Sequence, residues 1–461
     1  MFSREIYVRR REILRKSVKS GLLLFLGNEE SPMNYPANQY TFRQDSSFLY
    51  YWGLDSPGLA AALDVDSGTE TLFGDDPTVA DIVWTGPQPL LRDRAASVGV
   101  SLALRAASLR ESIEEAMRKG RTIHYLPAYR PENILKIEHL LGIHPSFAKA
   151  YASVEFTKAV VAQRSIKAPE EIAEIEKAIN ISCEMQTYAM KMARAGMIER
   201  EIAGAMHGIA LARGGDLAFP IIFSIHGETL HNHYHGNVMQ NGNIIVNDCG
   251  AESELHYAGD LTRTFPVSGK FTDRQHEVYR IVLDAQQKAL LAIKPGVPHR
   301  EIHLLACRTL ASGLKQLGLM KGDVNEAVEH GAHAMFFQCG LGHMMGLDVH
   351  DMEDLGEQHV GYAGTQRSPQ FGLCYLRLAA PLRAGFVITC EPGIYFIPAL
   401  IEQWKAERKH EQFINYDMLE RYRDFGGIRV EDDVLVTETG YRILGTHAPS
   451  TIEEVEAACA G

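Results

Sequence analysis

The chain has 461 residues, of which 46% are hydrophobic and 23% charged, with a formal net charge of -12. That length and balance suit two globular domains with substantial cores. The acidic surplus argues against nucleic acid or an anionic membrane as partner. No apolar run approaches the length of a membrane span; the run from Gly21 to Gly27 is too short and lacks a cleavage site, and reads as a buried strand. The seven cysteines are odd in number and show no CxxC spacing, which predicts reduced thiols in a cytoplasmic protein.

Residues 3–19 carry Ile6, Val8, Ile13 and Leu14 among many basic side chains, the pattern of a surface helix. A strand follows over 22–26. Residues 42–53 are aromatic and β-prone, and 59–65 and 69–73 continue in the same manner. Strands alternating with helical patterns, such as 109–118, predict an α/β domain over residues 1–160. Pro169-Glu170-Glu171 then opens a helix, with proline in its first turn and acids at its positive end. Its apolar stripe is Ile172, Ile175, Ala178 and Ile179; a second helix follows, with Ile202, Met206 and Ile209, stopped by Gly214-Gly215. The pattern recurs after residue 270. Thr272 and Gln275 form a candidate capping box, Pro295-Gly296 breaks the helix, and another runs over 299–318. Two helix pairs, each tied to strands, predict a pseudo-twofold repeat in a second domain over 161–461. Residues 352–378 read as loop, and 400–423 as a charged, mostly helical insertion docked by Phe413, Tyr416, Met418 and Leu419.

Between the helix pairs, Ile244-Ile245-Val246 reads as a strand that ends on Asp248, and Asp260 precedes Leu-Thr-Arg-Thr-Phe. A hairpin there brings the two carboxylates together, a repulsive arrangement unless a cation or proton lies between them; two turn aspartates are the plainer reading. Three later motifs favour the cation: Gly340-Leu341-Gly342-His343, Glu391-Pro392-Gly393 and Arg429-Val430-Glu431. Four carboxylates and one imidazole suit hard or borderline divalent ions. The count is right for two ions clamping a water between them.

The set Asp248, Asp260, His343, Glu391 and Glu431, in that order, resembles the pita-bread metallopeptidases, and within them aminopeptidase P and prolidase. The likeness extends over nearly the whole chain, including Phe42-Arg43-Gln44-Asp45-Ser46-Ser47-Phe48 in the first domain. It implies an α/β N-terminal domain followed by a pita-bread α+β catalytic domain. It implies two divalent ions, Mn first with Co or Zn as alternatives, and hydrolysis of the bond before proline in proline-containing peptides. The family's aspartates stand eleven apart and these stand twelve, an extra residue expected in the tip, 252–257, rather than as a bulge at Asp260.

By the same resemblance Asp248 holds one ion, Asp260 and Glu431 bridge, and His343 and Glu391 complete the second, Glu391 also taking a proton. Among His226, His231, His233 and His235, the family's substrate-side histidine matches His231; His350 matches the histidine that contacts the substrate and stabilises the reacting carbonyl. Arg429, two residues before Glu431 and on the same strand face, is expected to pair with the bridging carboxylates or with a substrate carboxyl terminus. Arg377 matches the prolidase arginine for that terminus. Xaa-Pro aminopeptidase is the leading expectation, prolidase the second, and a non-catalytic binding module a remote third. A homo-oligomer, dimer or tetramer, is expected.

Overall fold

In the computed structural model, which describes residues 1–460, the run after Gly21 is a strand, Leu22–Leu26, inside a five-stranded sheet. Across that sheet lie Leu102–Leu104, Glu70–Phe73, Ala60–Asp64, Leu22–Leu26 and Ile123–Tyr125, with antiparallel pairs in the middle and a parallel pair at each edge. These elements belong to the first of two compact units, Met1–Arg164 with Asp354–His359; the second is Ser165–Glu353 with the chain from Val360 onward.

Two local readings differ in the first unit. The aromatic stretch is not a strand: Ser46–Trp52 is a helix. The Asp45 side chain accepts from the Phe48 N–H at 2.8 Å, and Gly53, at φ 63, closes the other end. All seven helix residues are buried, so capping and burial on every side outweigh the β preference of the aromatics. The helix Arg4–Ser17 buries Tyr7, Arg10, Arg11 and Leu14, not the expected Ile13. Its arginines turn inward because they have acceptors there. Arg10 and Arg11 donate to the carbonyls of Tyr50 and Tyr51 at 2.9 and 2.8 Å, near the negative end of the aromatic helix.

The second unit shows the repeat. Helices Pro169–Met192 and Glu199–Ala212 form one pair, Asp273–Ala292 and His299–Gln316 the other. The two connecting segments have the same form, each with a positive-φ glycine, Gly196 and Gly296. The Thr272–Gln275 capping box is present. Strands Ile222–Ser224, Ile244–Cys249 and Leu261–Pro266 form one antiparallel sheet; Val387–Cys390, Asp432–Val436 and Tyr441–Ile443 form another. The insertion is two short helices, Pro398–Ala406 and Tyr416–Leu419, anchored by buried Trp404, Phe413 and Leu419. This is the two-domain architecture of an N-terminal α/β domain and a pita-bread domain.

The central hairpin is clamped from behind. Gln186, buried on the first helix, donates to the Leu261 and Asn247 carbonyls at 2.6 and 3.0 Å and accepts from Asn247 Nδ2 at 2.8 Å. The ladder keeps one register from Ile244 opposite Pro266 to Glu252 opposite Ala258, so the tip 253–257 absorbs the extra residue and Asp260 is not displaced by a bulge. Two glycines make the stem thin enough. A Cβ on Gly250 would stand 1.9 Å from the Gly259 carbonyl oxygen, and one on Gly259 would stand 2.8 Å from the Ile179 nitrogen of the helix behind. Gly250→Ala should therefore cost about 1–3 kcal/mol of stability. Denaturant unfolding measures that cost, and an unchanged midpoint would contradict the close approach.

Candidate active site

Strand pairing sets the carboxylates. Thr262 is opposite Asp248 in the hairpin, so Asp260, two residues earlier on the same face, is the diagonal neighbour of Asp248 rather than its direct partner. The two glutamates meet differently. Cys390 is opposite Asp432 and Gly393 opposite Arg429, so the same register through the break between these ladders sets Glu391 opposite Glu431.

His343 enters from the glycine-rich loop, which lies flat on the strand Val387–Cys390: Thr389 N–H donates to the His343 carbonyl at 3.0 Å and Glu391 N–H to the Leu341 carbonyl at 2.8 Å. Gly342 permits this contact, since a Cβ there would stand 2.1 Å from the Thr389 carbonyl oxygen. The Met344 carbonyl, 3.1 Å from His343 Nδ1, can only accept, so Nδ1 carries the proton. Nε2 then faces Asp260 Oδ2 and Glu391 Oε1, each 3.4 Å away.

A further layer of side chains holds these groups. Thr262 Oγ1 donates to Glu431 Oε2 at 2.6 Å, Thr389 Oγ1 to Glu391 Oε1 at 3.1 Å, and the Asp260 N–H to Asp433 Oδ2 at 2.9 Å. Arg429 has a different partner from the one expected. Its guanidinium donates to Asp248, to Tyr395 Oη at 2.8 Å and to Thr262 Oγ1 at 3.0 Å, with the residue only 3% exposed. The guanidinium thus lies at the cavity edge bonded to Asp248, Thr262 and Tyr395 rather than to the expected bridging pair Asp260 and Glu431.

All nine residues singled out in the sequence line one cavity of about 440 Å³ in the second unit: the five candidate ligands, His231, His350, Arg377 and Arg429. Phe219, Pro220, Ile222 and Leu230 supply an apolar wall. His350 Nδ1 lies 2.7 Å from Glu353 Oε2, and Arg377 Nε donates to the same oxygen at 3.2 Å. Glu353, Thr262, Tyr395 and Asp433 were not foreseen; each lies within three residues of a recognised motif, and that placement is the one sequence signal that could have pointed to them.

A cation fits this donor set. Asp248 Oδ1 is buried and has no hydrogen bond. Donor atoms of Asp260, His343 and Glu431 lie within 4.8 Å of one another. Burial, then repulsion from neighbouring carboxylates, pushes the Asp260 and Glu431 carboxyls well above the usual range. Cys249 and Cys390, beside two candidate ligands, are buried thiols whose pKa burial raises, the behaviour of small apolar fillers.

Residues 173–438 match the family model "Metallopeptidase family M24", and residues 7–124 match "Aminopeptidase P, N-terminal domain". The chain belongs to metallopeptidase family M24. It is therefore a hydrolase that uses divalent metal ions. It is 31% identical to the Xaa-Pro aminopeptidase of Escherichia coli (strain K12), covering 99% of this chain and 97% of that one. It is also 31% identical to the Homo sapiens Xaa-Pro dipeptidase, covering 98% and 91%. Zn-substituted E. coli aminopeptidase P in complex with product has a similar structure, with TM-score 0.83, 28% identity and coverage of 100% of this chain and 98% of that chain.

The raised carboxyls give a pH dependence with a definite sign. Stripped of metal, the folded chain holds protons on Asp260 and Glu431 more tightly than the unfolded chain does. Their contribution to stability is full below the ordinary carboxylate pKa and is lost as pH rises through the raised values. Bound cations need ionised ligands and reverse the trend. Compared with Asp260→Asn, EDTA-treated parent chain should lose Tm more steeply as pH rises above the ordinary carboxylate range, and added Mn²⁺ should raise the parent's Tm most at the upper end. A stripped parent chain whose Tm falls no more steeply than that of Asp260→Asn would contradict this electrostatic account.

Proposed function

We propose that this metallopeptidase is a Xaa-Pro aminopeptidase, cleaving the bond between an N-terminal residue and a following proline. The observation that carries the reading is the complete set Asp248, Asp260, His343, Glu391 and Glu431 at the floor of a cavity with an apolar wall suited to a proline ring. These five residues would hold two divalent ions, Mn with Co or Zn as alternatives, Asp260 and Glu431 serving both. When bound, such ions polarise a carbonyl and lower the pKa of a water. A bond before proline is a tertiary amide without an N–H, so recognition falls on the carbonyl and the ring. The protein is proposed to act in the cytoplasm as a homo-oligomer, dimer or tetramer, on peptides and not on nucleic acid or membranes.

Glu391 takes the proton released by the attacking water, and His231 contacts the substrate near the scissile bond. His350 has a more defined chemistry than the resemblance implied. Burial, then His343, holds its pKa near 4, while the His350 contact first, and Arg377, hold Glu353 near 2. Glu353 is thus ionised and accepts from Nδ1–H, leaving the neutral ring a lone pair at Nε2. The ring donates to charge developing on the substrate carbonyl only after taking a proton from solvent at Nε2, and Glu353 stabilises that imidazolium. His350→Ala should keep its metal content while kcat falls about 10²–10³-fold. Glu353→Gln should lower activity about 10–100-fold. Metal analysis beside kinetics decides the roles, since loss of metal from His350→Ala would make it a ligand.

The dipeptidase reading draws on Arg377, which lines the cavity; only its Nε is engaged by Glu353. Its remaining prongs could fix a carboxylate one residue beyond the cut, in a manner lysine could not copy. Kinetics on Xaa-Pro against Xaa-Pro-Xaa separate the two. An aminopeptidase cleaves the tripeptide readily, and Arg377→Ala affects it little. A dipeptidase favours the dipeptide by about two powers of ten or more, and Arg377→Ala sharply raises its KM for that substrate.

A further inference from the structure

A second cluster of potential ligands lies in the core of the same unit. The helix His299–Gln316 presents His303 and Cys307 four residues apart on one face, and His333 comes from the turn Ala332–Met335. The three residues are 0%, 0% and 2% exposed, and their donor atoms lie within 4.8 Å of one another. None of them lines the active-site cavity.

Cys307 Sγ stands 3.4 Å from His303 Nε2. Metal–sulfur and metal–nitrogen bonds of about 2.3 and 2.0–2.1 Å at tetrahedral or trigonal angles put two ligands about 3.5–3.8 Å apart. A thiol donating to the ring would explain that contact without a metal. It would not explain His333, both of whose ring nitrogens are buried without a hydrogen bond, nor the unpartnered Nδ1 of His303. Buried polar atoms are seldom left in this state. Backbone groups of Val328 and Gly372 stand beside the rings of His333 and His303 but outside hydrogen-bonding geometry. They are placed where the second nitrogen of a metal-bound imidazole commonly finds its acceptor.

We propose that His303, Cys307 and His333 bind one thiophilic metal ion, a site separate from the carboxylate centre. Burial keeps both imidazoles neutral, His333 down to about 4, and raises the Cys307 thiol, so the sulfur loses its proton only in exchange for the ion. Among the described residues, the charged side chains with the largest influence on His303 and Cys307 are the cations Arg300 and Arg308. One thiolate with a monovalent ion is neutral, whereas a divalent ion leaves a net positive charge in an apolar surrounding that includes Phe337, 5.5 Å from the His303 ring. Three imidazole and thiolate donors with that charge balance suit Cu⁺ first and Zn²⁺ second. The ion is structural: it ties the second helix of the second pair to the turn that leads into the His343 loop.

Because the site is buried, the ion enters as the chain folds. The test uses full-length chain carrying Asp260→Asn, to weaken the carboxylate centre, produced with Cu⁺ under reducing conditions or with Co²⁺ standing in for Zn²⁺. The expected result is one retained equivalent of ion with a near-ultraviolet thiolate-to-metal charge-transfer band. Cys307→Ser should abolish the band, and His333→Gln should weaken retention about tenfold or more. Circular dichroism establishes that each variant is folded; if Cys307→Ser is not, His333→Gln carries the comparison. Folded chain that shows no such band with either ion, or a band that survives Cys307→Ser, would overturn the proposal. Peptidase activity of the unsubstituted chain is read separately, so failure here leaves the proposed function standing.

Discussion

The arrangement of the second unit depends on four buried or half-buried carboxylates that the fold forces together. Asp248, Asp260, Glu391 and Glu431 share one cavity floor, with Asp433 directly behind Asp260. Arg429 offsets part of this charge at close range and, among these four, is hydrogen-bonded to Asp248. Isolated buried charges of one sign are far too costly to persist, so the group must take up protons or cations. The surrounding hydrogen bonds decide which. Thr262, Thr389 and the Asp260 backbone fix individual oxygens from outside, and His343 turns its free nitrogen inward. Such a preformed set of acceptors around a gap favours ions of fixed geometry over mobile protons.

The frame that holds these groups is built by close backbone approach rather than by bulky packing. Gly250, Gly259 and Gly342 each stand where a single added carbon would collide with backbone. The hairpin can therefore press against the helix Pro169–Met192, and the His343 loop can lie on its strand. The two glutamates use a different device, a break between ladders whose register continues across it. In this way chain segments distant in sequence bring the five candidate ligands to one cavity, Asp248 on a strand and the other four just beyond strand ends or in a loop.

Much of this was legible in the sequence, for reasons that can be stated. Ligands sat at the ends of apolar runs, where a strand stops and a side chain meets the edge of the core; the helices declared themselves by stripe, cap and glycine. What failed did so where tertiary context overrides local preference. Residues 46–52 form a helix because Asp45 caps them and all sides are buried, facts invisible to β propensity. Arg10 and Arg11 face inward because carbonyls of a later helix await them. Arg429 was placed beside the carboxylates, but was expected to pair with Asp260 and Glu431 or a substrate terminus; its bond to Asp248 depends on how the strands pack across the site.

The least legible feature is the one with the most chemical consequence. His350 stands seven residues after His343, and their rings meet edge to face with centroids 4.3 Å apart. Sequence spacing could associate the two histidines but could not say which carries a proton, or where. That depends on Glu353, which accepts from His350 and from Arg377 through one oxygen. A neutral imidazole whose Nδ1–H is committed to an ionised carboxylate behaves as a base at Nε2, not as a fixed hydrogen-bond donor. In the proposed role, its ability to stabilise negative charge on the substrate then depends on taking up a proton from solvent at Nε2. Stabilisation that grows toward the transition state accelerates the chemical step, whereas a permanent cation would favour the bound substrate as well. In the proposed role, the pairing with Glu353 thus fixes the tautomer of His350 and makes its stabilisation of charge depend on proton uptake.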